Sequence, residues 1–209
     1  MVDTAAQVKS VLLDAAVALA GGRGWTSSTR VSASVFTHYY EHAAPQDLAG
    51  KDPLDAYASA VRHVQAAEQP KPAESLVRVY NPKAVDDGWS SPHTAIDVVT
   101  DDMPFIVDSV LAVLEVRGLH AHVVVHPVFE VGRNPDGVIE SFAPTRASDG
   151  DEDDSGQPES FLHLEVDRRA EAAECADLRD EIHDVLCDVR AAVEDWREMR
   201  AGPTTFAST

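Results

Sequence analysis

Cysteine is nearly absent: Cys175 and Cys187 are the two in 209 residues, which excludes a disulfide-stapled scaffold. On the single helix that their surroundings predict they stand about 18 Å apart at 1.5 Å rise per residue, too far to bond, so buried reduced thiols are expected. Basic residues are scarce as well. The chain has 17 Lys and Arg against 36 Asp and Glu, a net charge of −19, and no basic run. Without a basic patch neither nucleic acid nor an anionic membrane surface is a fitting partner. No run approaches the roughly 18 apolar residues of a membrane span, and the apolar start VLLDAAVALAGG has Asp14 inside it, so an amphipathic helix is expected there rather than a secretory signal. The location expected is cytoplasmic, with no membrane partner. Nucleotide motifs are missing too. No G-x-G-x-x-G follows a predicted strand, and GGRGW lacks both a preceding strand and a following Lys-Ser/Thr, so no cofactor is expected in these residues.

What is present is organised around His93 to His126. Thr94, Ile96 and Val98 alternate as a half-buried strand should, and Asp101, Asp102 and Pro104 supply a helix start. Ile106, Val107, Val110, Leu111, Val113 and Leu114 then recur at helical spacing, and Gly118 stands where a left-handed C-cap is wanted. A second strand, predicted from Leu119 to Val131, reaches a turn at Asn134-Pro135-Asp136-Gly137.

Three helices are predicted ahead of this unit: Thr4 to Ala20, a second after Ser32 or Ser34, and a third near Pro53 with Leu54, Tyr57, Ala58, Val61 and Val64 on its apolar face. Gln69 to Pro72 reads as a stiff linker. Residues 1–72 are therefore expected to form a helical segment, residues 73–200 a second domain, and residues 201–209 a tail. Leu76 to Tyr80 is predicted as a strand antiparallel to the one at His93. A returning strand is expected to begin at Val138 to Phe142 and to resume at Ser160 to Val166, interrupted by an acidic mobile loop at 147–158. Its aspartates lack the Glu at the twelfth position that would close an EF-hand, so no metal site is assigned there. A final helix from Glu171 to Arg200 carries Leu178, Ile182, Leu186, Val189, Val193 and Trp196 on one face, with its carboxyl half packed on the amino-terminal helices or turned toward a partner.

The stretch DDMPFIVDSV followed by RGLHAHVVVHPVF resembles the amino-terminal region of the large NAD-specific glutamate dehydrogenases of bacteria, in which an ACT-type regulatory module precedes the catalytic part. VRVYNPKAVDDGWSSPHTAIDVVTDDMPF and ESFLHLEVDR look like flanking segments of the same family, so the resemblance runs from Ser75 to Arg169. It implies an α+β, ferredoxin-like (ACT-type) antiparallel sheet with two helices on one face, preceded by the helical segment. It also implies a non-catalytic regulatory or assembly module whose parent enzyme oxidises L-glutamate with NAD, and whose partners are the parent's other domains or subunits. An amino-acid-sensing module is the alternative, and a metal-dependent enzyme the third reading.

In ACT modules the loop between first strand and first helix forms the effector site. Carried onto this chain, that loop is Thr100, Asp101, Asp102, Met103, Pro104 and Phe105, where a helix start could receive an amino acid's carboxylate. The family pattern Asp-x-Pro-Gly ends here in Phe105, whose ring is expected to be packed as core. Strand alternation places Asp97, His122, Val124, His126, His163 and Glu165 together on the sheet's helix-free face. That face is expected to be polar or to dock another domain, with metal or acid-base chemistry the minor reading. No catalytic residue and no metal ligand is assigned.

Overall fold

The protein's structure is a computed structural model that describes residues 4–24, 30–68, 75–145 and 156–200. Three helices come first: α1 (Thr4–Gly22), α2 (Ala33–Tyr39) and α3 (Pro53–Ala67). Each later start is chemically marked. Ser32 Oγ accepts from the Val35 N–H, while Asp52 caps α3 by accepting from Leu54 and Asp55 ahead of a first-turn proline. Then follow β1 (Leu76–Tyr80), the single turn α4 (Ala84–Asp87), β2 (Thr94–Asp101), α5 (Ile106–Val116), β3 (Ala121–Val125), β4 (Val128–Arg133), β5 (Ile139–Pro144), β6 (Gln157–Val166) and α6 (Ala172–Arg200).

All strand pairs are antiparallel, and β1, β2, β6, β4 and β5 lie side by side in that order, with β3 pairing the second half of β6. This is the ferredoxin-like arrangement of an ACT module with β1 at the edge that a terminal strand would otherwise fill, as the order of the two runs predicted. Two expectations are corrected. The strand from Leu119 to Val131 is two strands, because Pro127 has no N–H to give the ladder; its carbonyl still accepts from Phe161. The returning strand is likewise two, since β5 and β6 lie on opposite sides of β4. Gln157 and Pro158, expected in the acidic loop, belong to β6; residues 147–155 of that loop, the linker at 69–72 and the tail at 201–209 lie outside the described residues.

Both faces of the sheet are covered. On one, Ile96, Val98, Leu162, Leu164 and Val166 pack against Ile106, Val110 and Leu114 of α5 and Leu178, Ile182 and Leu186 of α6. The chain leaves α5 through Gly118 at φ 65°, where Leu119 N–H returns to the Leu114 carbonyl at 2.9 Å. On the other face Val99, Val123, Val125, Phe129, Val131 and Phe161 share a core with Leu12, Ala16, Phe36, Tyr39, Tyr57 and Val64 from α1, α2 and α3. At roughly 1.5–3 kcal/mol for each large buried side chain, this second interface is as substantial as the first. The face expected to be free of helices is therefore occupied by the chain's own helical segment. Contrary to the expectation from the sequence, residues Ala5–Gly22 of α1 are long and apolar enough to cross a membrane by length and composition; Leu12, Leu13, Ala16 and Ala20 are buried in this core, while Val8, Val11 and Leu19 are exposed. Among the described residues α6 packs chiefly on β1 and α5 rather than on the amino-terminal helices, and Arg190 in its carboxyl half reaches Thr100 and Asp101 of β2.

Candidate functional site

The loop from Thr100 to Phe105 leaves β2 and enters α5, and its polar groups are engaged within the domain. Thr100 is buried; its hydroxyl accepts from Ser75 Oγ at 2.8 Å and from Arg190 Nη2 at 3.1 Å. Asp101 pairs with Arg190 of α6. Asp102 does not start the helix as expected: its carboxylate accepts from Ser160 Oγ and its N–H reaches the Pro158 carbonyl at 2.9 Å, so it ties the loop to β6. Met103 is buried in the α5–α6 core. Pro104 is exposed, and Phe105 occupies the N-cap position without a side-chain cap.

The expectation of a packed Phe105 ring is wrong. The residue is 65% exposed and takes φ 72°, the left-handed region, as the one non-glycine residue with positive φ among those described. The backbone thus keeps the conformation suited to the family's glycine, while the side chain is a large apolar one. The ring borders an apolar groove of about 650 Å³ lined by Pro104, Phe105 and Ser109 of the α5 start and by Val189, Ala192, Val193 and Trp196 of α6.

The histidine-bearing residues are divided between two places. A register shift between Ala121 and Val123 puts Val124 opposite Leu164, so Val124 points toward α5 and α6 while Val123 and Val125 take the opposite face. His122 stands outside at this bulge, donating from Nε2 to Asp167 at 2.7 Å and stacked on His93 at 4.1 Å. His126 lies at the break before Pro127, half-buried, and burial lowers its pKa.

Asp97, His163 and Glu165, by contrast, are buried between the sheet and the amino-terminal helices. His163 Nδ1 donates to Asp97 Oδ1 at 2.7 Å, and its Nε2 lies 3.5 Å from Glu165 Oε1. Glu165 also holds Lys51 from the segment before α3 and accepts from Ser91 Oγ at 2.6 Å. Arg78 of β1 lies 3.8 Å from Asp97 Oδ2. His63 of α3 completes the group: its Nε2 donates to the Val98 carbonyl at 3.1 Å and its Nδ1 accepts from Tyr39 at 2.8 Å, which fixes the neutral tautomer. The Trp89 ring closes the cluster 5.8 Å from His163.

Burial disfavours a proton on His163, but its hydrogen bond to Asp97 and the neighbouring Glu165 carboxylate outweigh it and raise its pKa to about 9. Burial alone dominates at His63 and lowers it to about 4. Burial pushes Asp97 up, yet His63 and His163 outweigh that and hold it at about 2. Since His63 is neutral near neutrality, the charge holding Asp97 ionised there comes from His163 and Arg78. Glu165 is likewise held well below the usual carboxylate range: burial opposes this, while His163 and Lys51 outweigh it.

Candidate ligand atoms of His63, Asp97 and His163 lie within 4.8 Å of one another. A metal there would have to displace the Tyr39 or Val98 bond of His63 and the proton of His163, and Arg78 and Lys51 already supply the compensating positive charge. The arrangement fits a charge clamp between layers better than a metal centre. Sequence reasoning found Asp97, His163 and Glu165 but missed His63, Lys51, Arg78 and Trp89. One signal existed: His63 falls on the buried stripe Ala56, Ala60, His63, Ala67 of α3, a polar residue where an apolar one would serve.

A strand-helix-strand-strand-helix antiparallel sheet is the arrangement of an ACT-type domain. The family described as glutamate dehydrogenase, ACT1 domain, matches residues 35–182, and the chain belongs to it. An NAD-specific glutamate dehydrogenase of Halomonas elongata is 36% identical over 167 residues, 79% of this chain and 10% of that protein. Another from Pseudomonas aeruginosa is 39% identical over 125 residues, 60% of this chain and 8% of that protein. The chain thus spans about a tenth of the length of these relatives. No solved structure matches it.

Proposed function

We propose that this chain is a non-catalytic regulatory or assembly module of a large NAD-dependent glutamate dehydrogenase, with residues 1–72 as a helical segment clamped onto an ACT-like domain at residues 73–200. The observation that supports this best is the sealing of the titratable cluster: Asp97 and His63 are 0% exposed and His163 1%, so groups that could move protons meet each other and not a substrate. The parent's oxidation of L-glutamate to 2-oxoglutarate and ammonia, with its NAD, belongs to other parts of that polypeptide. A cytoplasmic setting goes with such an enzyme. Deleting the module from the parent tests this. Subunit assembly or the response to effectors is expected to change, and the isolated chain is expected to show no glutamate oxidation with NAD. Turnover by the isolated chain, or a parent indifferent to the deletion, would overturn the reading.

An amino-acid effector at Thr100, Asp101, Asp102, Met103, Pro104 and Phe105 is the second reading, favoured by the uncapped start of α5 and the glycine-like backbone at Phe105. Against it stand the acids Asp101, Asp102 and Asp108 around the helix start, which repel a carboxylate. Calorimetry with a panel of amino acids decides it: saturable binding supports a sensor, and no heat with any of them removes it.

A further inference from the structure

Phe105 and Trp196 expose 65% and 51% of their surfaces, and they flank one groove rather than being scattered. A cavity of about 650 Å³ is large enough for a small molecule, but the Ser109 hydroxyl and the Trp196 indole N–H are the polar side-chain groups among the residues lining it, and none is charged. A free amino acid or a nucleotide would leave charged groups there without partners, which disfavours both. The lining suits the apolar face of another polypeptide, and Met199, 72% exposed, lies one turn further along α6.

The exposed ring is also costly to hold. An L side chain in the left-handed region crowds its Cβ against the following carbonyl, and Phe105 bears this with most of its ring in water. Such strain is found where a surface is used.

Charge narrows the occupant. Asp102 and Asp108 beside the α5 start, and Asp188 and Asp195 along α6, are all exposed, while Arg190 is taken up by Asp101; Arg197 and Arg200 of the last turn, the latter 4.9 Å over the Trp196 ring, offset these four acids only in part. A second copy would bring the same acids and another −19, so pairing of copies through this groove is opposed. We infer that the groove between the start of α5 and the last turns of α6 docks an amphipathic segment of the parent dehydrogenase, apolar on one face and basic at its edges, from outside these 209 residues. The relatives have ample chain to supply one, since the match covers 10% and 8% of their lengths. The inference rests on the reading of this chain as a module of that parent.

Hydroxyl-radical footprinting of the parent beside the 209-residue chain tests it. Phe105, Trp196 and Met199 are expected to lose reactivity several-fold in the parent, while His120, whose side chain is 85% exposed, keeps it. Equal reactivity of Trp196 in both would overturn the inference. Phe105→Gly and Trp196→Glu in the parent remove no fully buried side chain and are expected to restore reactivity at Met199; protection that persists in both variants would also overturn it. Protection that arises in the 209-residue chain alone and grows with its concentration would assign the groove to a second copy and sink the stated occupant. If deleting the module alters assembly or regulation but Trp196 stays reactive in the parent, the module reading stands and the groove falls. If Trp196 is protected and deletion changes nothing, the reverse holds.

Discussion

The two faces of one sheet are built by opposite means. Toward α5 and α6, strands β2 and β6 present Ile96, Val98, Leu162, Leu164 and Val166, an apolar set throughout. Toward α1, α2 and α3 the alternate residues of the same strands are Asp97, Val99, Phe161, His163 and Glu165, and they are just as deeply buried. The first face is held by area removed from water and tolerates changes that keep volume. The second depends on a particular set of partners, because breaking a buried ion pair leaves a charge with nothing to answer it. Such a network adds less net stability than an apolar core would, but it fixes one register of α3 and the Lys51 segment on the sheet.

The largest effect that would sharpen this contrast is Asp97→Ala, which strands His163 and Arg78 and is expected to cost about 3–5 kcal/mol in urea unfolding. Leu164→Ala on the opposite face should cost a similar ~2–5 kcal/mol through its cavity, with a loss that does not vary with pH. Equal pH dependence in the two variants would break the comparison. Lys51→Ala removes one of the partners of Glu165 from a position still partly in water, and a smaller loss of ~1.5–3 kcal/mol is expected. Smallest, and of opposite sign, is Phe105→Gly: release of the left-handed strain is expected to stabilise the domain by up to about 1 kcal/mol, less what glycine gains in unfolded-state freedom. A loss on the scale of a core Phe truncation, ~3–5 kcal/mol, would show that the ring is packed after all.

Much of this fold was legible in the sequence because its signals are local. Ser32 and Pro53 mark helix starts, Gly118 marks a stop, and the period of α5 and the hairpin order of β1 and β2 fix the sheet edge. Alternation was a weaker guide. It identified Asp97, His163 and Glu165 as sharing a face, but period two distinguishes one face from the other and not a wet face from a covered one. Nor does it survive the bulge at Ala121 to Val123, which moved Val124 and His122 out of the expected group. Lys51 lay beyond reach because its partner Glu165 is distant in sequence; His63 stood out as a polar residue on the stripe of α3, but its partner at Val98 did not. Phe105 was misplaced for a different reason. A large apolar residue at a helix start reads as core, and nothing in its neighbours reveals that the backbone there is left-handed.

The claim that a sealed charge clamp joins the helical segment to the sheet is tested most directly by unfolding stability as a function of pH. His163, raised from 6.5 to about 9, contributes stability that is complete below pH 6.5 and is lost as the pH rises through about 9. His63, lowered from 6.5 to about 4, is held neutral by the fold, so its effect is a loss as the pH falls from 6.5 through about 4. Asp97, held at about 2 rather than 3.8, adds a further loss in stronger acid. The account predicts a stability maximum near pH 6.5, with the alkaline decline abolished in His163→Gln and the acid decline kept. A curve flat from pH 6.5 to about 9, or an alkaline decline unchanged in His163→Gln, would contradict it.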